Sequence, residues 1–304
     1  RPKKEREPID FLSKKKVFFT ISLVLIAAGV ITIGVNAGRG NGAFAYSLEF
    51  QGGTSTNVTF DKDYSIDEID KEIVPVVEKV TGDNNVQTQK VAGTNQVIIK
   101  TVTLDLDKRE ALNKAMVDNF GVDESKITAE NISSTVSNEM RRDAVIAVVI
   151  ATICMLLYIW FRFKDIRFAT SAVLALLHDV LVVVGFYAIA RISVGNTFIA
   201  CMLTIVGYSI NATIVIFDRI REEMRGKTKS SDVAAVVNKS ITQTLTRSIY
   251  TSLTTFIMVA VLYVMGVSSI KEFALPLMVG VVCGAYSSVC ITGALWYVMK
   301  RFKK

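Results

Sequence analysis

The chain has 304 residues, of which 51% are hydrophobic, and a formal charge of +7. Its apolar residues gather in runs near or above the roughly 18 needed to cross a bilayer, which marks a membrane protein. The charge does not point to nucleic acid: residues 36–143 hold 12 lysines and arginines against 18 acids, so the basic excess lies in short stretches beside the apolar runs.

A basic tail, residues 1–16, leads into the first predicted span at 17–35. Lys14, Lys15 and Lys16 precede it as in a signal peptide, but the apolar run is too long and no small-residue cleavage site follows, so it should remain as an anchor. A polar segment, 36–143, comes next. Five further spans are predicted at 144–161, 168–190, 196–217, 246–265 and 273–299, the last long enough to tilt. A loop at 218–245 and a basic tail at 300–304 complete the chain. FRFKDIRF, DRIREEMRGKTK and KRFKK put basic residues on the side of the N-terminal tail, whereas the two short loops opposite carry one each, Arg191 and Lys271. The positive-inside rule then makes both termini, the tails and the 218–245 loop cytoplasmic, and the acidic segment extracytoplasmic.

Within that segment FAYSLEF and TSTNVTF alternate around Gln51-Gly52-Gly53, which predicts a hairpin. SIDEIDKEIVPVVEKVTG predicts a helix with Ser65 as N-cap and Gly82 as stop, kinked by Pro75. A second hairpin, NVQTQKV and NQVIIKTVT around Ala92-Gly93-Thr94, is followed by a helix, DKREALNKAMVDNFG, and a strand, KITAENISS. The order β-β-α-β-β-α-β suggests an α+β domain of the ferredoxin-like type. It contains no histidine, cysteine or phosphate-cradling loop, so it reads as a binding or moving module, with a folded spacer as the plainer alternative.

Inside the spans, the pair His178-Asp179 interrupts SAVLALLHDVLVVVGFYAIA. An ionisable residue at a helix centre costs about 2.5–3.5 kcal/mol on insertion scales, so its retention points to use. Asp179 falls about ten residues, or roughly 15 Å, into the third span. Burial favours the neutral form of a carboxylic acid, which makes an acid at that depth a candidate for loading and releasing protons. His178, the one histidine, lies about 100° around the helix, so both should not face one partner squarely. A structural hydrogen-bonding pair is the alternative. Span four carries Gly207, Ser209, Asn211 and Thr213 in a helix-packing pattern, and the FDRIREE turn after it reads as an interfacial anchor. In span five Arg247 stands at a depth similar to Asn211 and needs an acceptor, water or the interface. Cys154, Cys201, Cys283 and Cys290 all fall in spans without CxxC spacing and read as packing residues. No metal site and no cofactor is expected.

These segments together resemble the SecF family of bacterial protein-export subunits over essentially the whole chain. The resemblance rests on IDFLSKKKVFFTISLVLIAAGV, LEFQGGT, VSNEMRRDAVIAVVIATICMLLYIWFRF, ALLHDVLVVVGFYA, VGYSINATIVIFDRIREE and SITQTLTRSIYTSLTT. It implies a six-helix polytopic membrane protein, half of an RND-like transporter, paired with SecD in the bacterial cytoplasmic membrane. The pair would use the proton-motive force to help draw unfolded preprotein from the SecYEG channel, with YajC as a further partner and no ATP site, in keeping with the absence of a P-loop. A free-standing chain and the C-terminal half of a fused SecD–SecF polypeptide both fit, and Arg1 in place of methionine fits a trimmed piece. The family usually reads GYSIND in span four, with the aspartate in the proton path, where this chain has Ala212; Arg247, that acid's usual partner, is kept. Glu49 and Ser137 stand where aspartate and glycine are common. The candidate proton-path residues are therefore Asp179, His178, Asn211 and Arg247. A structural scaffold beside a proton-conducting SecD, and an RND-type exporter of small molecules or lipids, are the competing functions; none is enzymatic.

Overall fold

In the computed structural model the first apolar run folds as α1 (Lys15–Gly38), entered through a 3-10 turn at Leu12–Lys14. The structure describes residues 7–39, 42–91, 93–225, 233–266 and 268–301. The ends of both basic tails, Ala92 of the second hairpin turn and the centre of the 218–245 loop lie outside the described residues.

Residues 46–146 form one unit of the chain. Its strands are β1 (Gly53–Thr59), β2 (Gln87–Lys90), β3 (Gln96–Thr101) and β4 (Ile127–Ile132), in the order β2-β3-β1-β4 with every neighbour antiparallel. Helix α2 lies between β1 and β2 and is built from Ile66–Glu68, a π-helical turn Ile69–Ile73 and Val74–Thr81; α3 (Leu106–Phe120) lies between β3 and β4. The chain order is thus β-α-β-β-α-β, a split βαβ arrangement. The first predicted hairpin is not formed. Ser47 begins a one-turn helix, Leu48–Gln51, instead of a strand, and Gly52 and Gly53 take φ of +73° and +112° to leave it and enter β1. Alternation in FAYSLEF was compatible with a strand, but the cap and the two left-handed glycines decide the conformation. Gly53 also has no room for a side chain, since a Cβ there would lie 2.3 Å from the Thr101 carbonyl oxygen.

Pro75 explains the form of α2. It lacks an N–H and its ring crowds the carbonyl of residue i−4, and the wide π turn immediately before Val74 absorbs the mismatch. Ser65 and Glu68 close the helix start as a capping box, and Gly82 ends it in the left-handed region. For α3, Asp105 caps the start by accepting from the Lys108 N–H, and Gly121 ends the helix in the left-handed region. Val58, Phe60, Val97 and Ile99 from the sheet side pack with Ile69, Ile73 and Val77 of α2 and Leu112 and Met116 of α3, all nearly inaccessible to solvent.

The other unit combines residues up to 45 with those from 147 onward. Its remaining helices are α4 (Ser134–Phe163) from residue 147 onward, α5 (Ile166–Ala190), α6 (Asn196–Met224), α7 (Val233–Met265) and α8, which runs as Ser268–Ser287, a π turn Ser288–Thr292 and Gly293–Arg301. Among the described residues six helices are long and apolar enough to cross a membrane, as backbone satisfaction in lipid requires. Several overrun the spans read from hydropathy: α4 starts ten residues earlier, α6 continues through DRIREE, and α7 begins at Val233. Hydropathy marks the apolar part of a helix, not its ends.

Helices α5, α6 and α8 are the centre of this unit. They bury 44%, 39% and 56% of their most apolar windows, whereas α1, α4 and α7 bury 11%, 6% and 6%. Phe168 stacks on Trp296 at 4.9 Å and Phe217 lies 4.6 Å from Phe168, joining α5, α6 and α8 at one end. Toward the middle, α1 meets α5 at paired glycines: a Cβ on Gly29 would lie 2.8 Å from the Gly185 Cα. Such close backbone approach is how small residues hold membrane helices together. The FDRIREE turn forms ion pairs, Arg162–Asp218 at 2.7 Å and Arg219 with Glu222 and Glu223 at 2.9 Å each.

Candidate functional site

Asp179 lies in the middle of α5 with no solvent exposure. Its two carboxylate oxygens divide their partners. Oδ2 accepts from the Ser209 hydroxyl of α6 at 2.6 Å and from the Ser287 hydroxyl of α8 at 2.9 Å. Oδ1 accepts from the Cys283 thiol of α8 at 3.3 Å and faces His178 Nδ1 at 3.0 Å. Two hydroxyls, a thiol and an imidazole nitrogen from three helices thus converge on one buried acid, which satisfies a polar group in an apolar interior. Ser287 is the last residue before the π turn of α8, and such turns recur at functional sites. His178 is also buried, and its second nitrogen, Nε2, has no hydrogen-bond partner.

The expectation that His178 and Asp179 do not face one partner squarely is revised, since the Cys283 thiol lies 4.0 Å from His178 Nδ1 and 3.3 Å from Asp179 Oδ1. The residues leave the helix about 100° apart, but the imidazole swings onto the carboxylate of its neighbour. Tyr286, whose ring lies 6.2 Å from that of His178, donates to the Phe18 carbonyl at 2.7 Å and so links α8 to α1.

Asn211, Ala212 and Arg247 do not join this cluster. Helix α6 sends Ser209 toward Asp179, while Tyr208, Asn211 and Ala212 line a separate cavity of about 110 Å³ with Arg247, Thr251 and Ser252 of α7. The Tyr208 hydroxyl donates to Ser252 Oγ at 2.7 Å across it. Asn211 and Arg247 are exposed in this chain. Among the described residues no acid pairs with the Arg247 guanidinium, and Ala212 offers none.

Ser209 was legible in the sequence only as a helix-packing residue, and Cys283 and Ser287 were not singled out as partners of Asp179. The available signal was their i, i+4 spacing, which puts a thiol and a hydroxyl on one face of the last span. His178, Asp179 and Cys283 also present ligand-type atoms all within 4.8 Å of one another. Cys201 is buried and Cys154 exposed, and neither is in this group.

Known proteins resemble the chain along its whole length. A family model described as protein export membrane protein SecD/SecF, C-terminal, matches residues 112–302. The protein translocase subunit SecF of Petrotoga mobilis is 36% identical over 303 residues, covering 97% of this chain and 98% of the relative. The protein translocase subunit SecDF of Bacillus subtilis is also 36% identical over 96% of this chain, which spans 38% of that longer relative. A crystal structure of SecDF from Thermus thermophilus superposes with a TM-score of 0.83 at 30% identity, covering 97% of this chain and 39% of that one. With six spanning helices in the same arrangement and a family match over most of its length, the chain belongs to the SecD/SecF family of protein export membrane proteins.

Proposed function

We propose that the chain serves bacterial Sec-dependent export as the SecF-type partner of SecD, or of a SecD half of the same polypeptide, and couples the proton-motive force to preprotein movement beside SecYEG, with YajC as a further partner. It would lie in the cytoplasmic membrane with both termini in the cytoplasm and the 46–146 unit outside. The observation that carries the reading is Asp179, an acid held by donors from three central helices. Neutralising it weakens four contacts at once and loosens α6 and α8 from α5, while one charge crossing 100 mV contributes about 2.3 kcal/mol, enough to bias a two-state arrangement. Among the described residues Asn211 and Arg247 line the second cavity without an acid, so an acid for Arg247 would come from the SecD half.

Ala212 favours one rival, a scaffold whose SecD partner alone carries protons. Export of a pulse-labelled preprotein in cells separates the two. Asp179→Asn slows gradient-dependent export at least severalfold if Asp179 carries protons. If Asp179→Asn and Arg247→Ala export at the wild-type rate while removal of the 46–146 unit stops export, the chain is a scaffold.

A further inference from the structure

We propose that His178, Asp179 and Cys283 form a binding site for one zinc-like divalent cation at the junction of α5 and α8. The assignment rests on ligand chemistry alone; a cation on Oδ1 holds Asp179 deprotonated, so a loaded site and proton carriage through Asp179 exclude each other at any one moment. Zinc takes imidazole, carboxylate and thiolate ligands at about 2.0–2.3 Å, so tetrahedral ligand atoms sit roughly 3.2–3.7 Å apart. Here Nδ1 to Oδ1 is 3.0 Å, Sγ to Oδ1 is 3.3 Å and Sγ to Nδ1 is 4.0 Å. Each pair is within a few tenths of an ångström of that geometry, so side-chain adjustment alone admits the ion.

Two further features point the same way. A dication bound by one carboxylate, one thiolate and one neutral imidazole is electrically neutral, the favoured state in a site from which water is excluded. Ser209 and Ser287 hold Oδ2 and aim Oδ1 at the thiol and the imidazole, as outer hydrogen bonds orient metal ligands. A thiolate with an imidazole selects zinc-like ions over magnesium, calcium or sodium. Two ligands lie on α5 and one on α8, so the ion would tie these helices directly, with its fourth position left to a hydroxyl or water.

The rival arrangement, in which N–H and S–H simply donate to Oδ1, has no metal affinity, and a titration decides between them. The full chain, purified without a polyhistidine tag and stripped with chelator, is titrated with Co²⁺ as a spectroscopic probe and then with Zn²⁺. The proposal expects one Co²⁺ per chain, tetrahedral visible bands, a near-ultraviolet thiolate-to-cobalt band and displacement of both by Zn²⁺. Cys283→Ser should abolish the thiolate band, His178→Gln, which removes a direct ligand, should weaken binding by more than the roughly tenfold that loss of an outer-shell partner costs, and Cys201→Ser should change neither. A wild-type chain without the thiolate band, or a band that persists in Cys283→Ser, overturns the site. Zinc X-ray absorption on the wild-type chain needs no variant: one sulfur at about 2.3 Å supports the site, and a shell of nitrogen and oxygen alone overturns it.

Discussion

Leucine at Gly185 will separate α1 from α5 and destabilise the membrane unit by about 3 kcal/mol or more. The reason is contact between backbones. A Cβ at Gly185 would lie 2.9 Å from the Gly29 Cα, closer than carbon atoms approach, and a main chain cannot turn aside as a side chain can. Overpacking a tight core costs about 1–3 kcal/mol even when neighbours can shift, and here the remedy is to move a helix. Gly34→Leu supplies the control, because nothing lies within 4 Å of a Cβ at that position. Thermal unfolding in detergent should show a large loss for Gly185→Leu and little change for Gly34→Leu. Equal stability of the two variants would remove the paired glycines from the account of how α1 is held.

Asp179→Leu is the second large effect. Leucine matches the apolar surroundings but strands the Ser209 and Ser287 hydroxyls, the Cys283 thiol and the imidazole without their acceptor. Hydrogen bonds between membrane helices average about 0.6 kcal/mol and reach about 1.7, while a buried polar group left unpaired costs about 1–3 kcal/mol. At the hydrogen-bond figures, four such losses predict roughly 2–7 kcal/mol in total. Asp179→Asn keeps a carbonyl acceptor and should lose less than half as much. Unfolding midpoints of the two variants check the order, and an Asn variant as unstable as the Leu variant would mean that the ionised acid, rather than its acceptor geometry, holds the helices.

The parts of this molecule that follow from local chemistry were legible in its sequence. Six apolar runs had to become helices because lipid offers the backbone no partner, and Ser65, Gly82 and Gly121 fixed helix ends through caps that work at short range. The FAYSLEF segment misled because alternation is compatible with a strand, whereas the left-handed conformations of Gly52 and Gly53, which place the chain end of the short helix against β1, depend on the sheet they join. The insertion cost of a buried acid made Asp179 conspicuous. Its partners were not: Cys283 and Ser287 resemble the small residues of any membrane helix, and only the packing of α8 against α5 gives them a carboxylate to meet. Ala212 and Arg247 were legible as a departure from the family, yet Ala212 of α6 and Arg247 of α7 line a cavity that does not include Asp179, so the two polar clusters are separate.

The claim that this chain carries protons through Asp179 is tested most directly by proton flux. Proteoliposomes holding the chain with its SecD partner and an internal pH dye are given a membrane potential, and wild type is compared with Asp179→Asn under conditions in which both remain folded. The account predicts that Asp179→Asn reduces potential-driven proton entry to the background of empty vesicles. Undiminished entry through Asp179→Asn would contradict it.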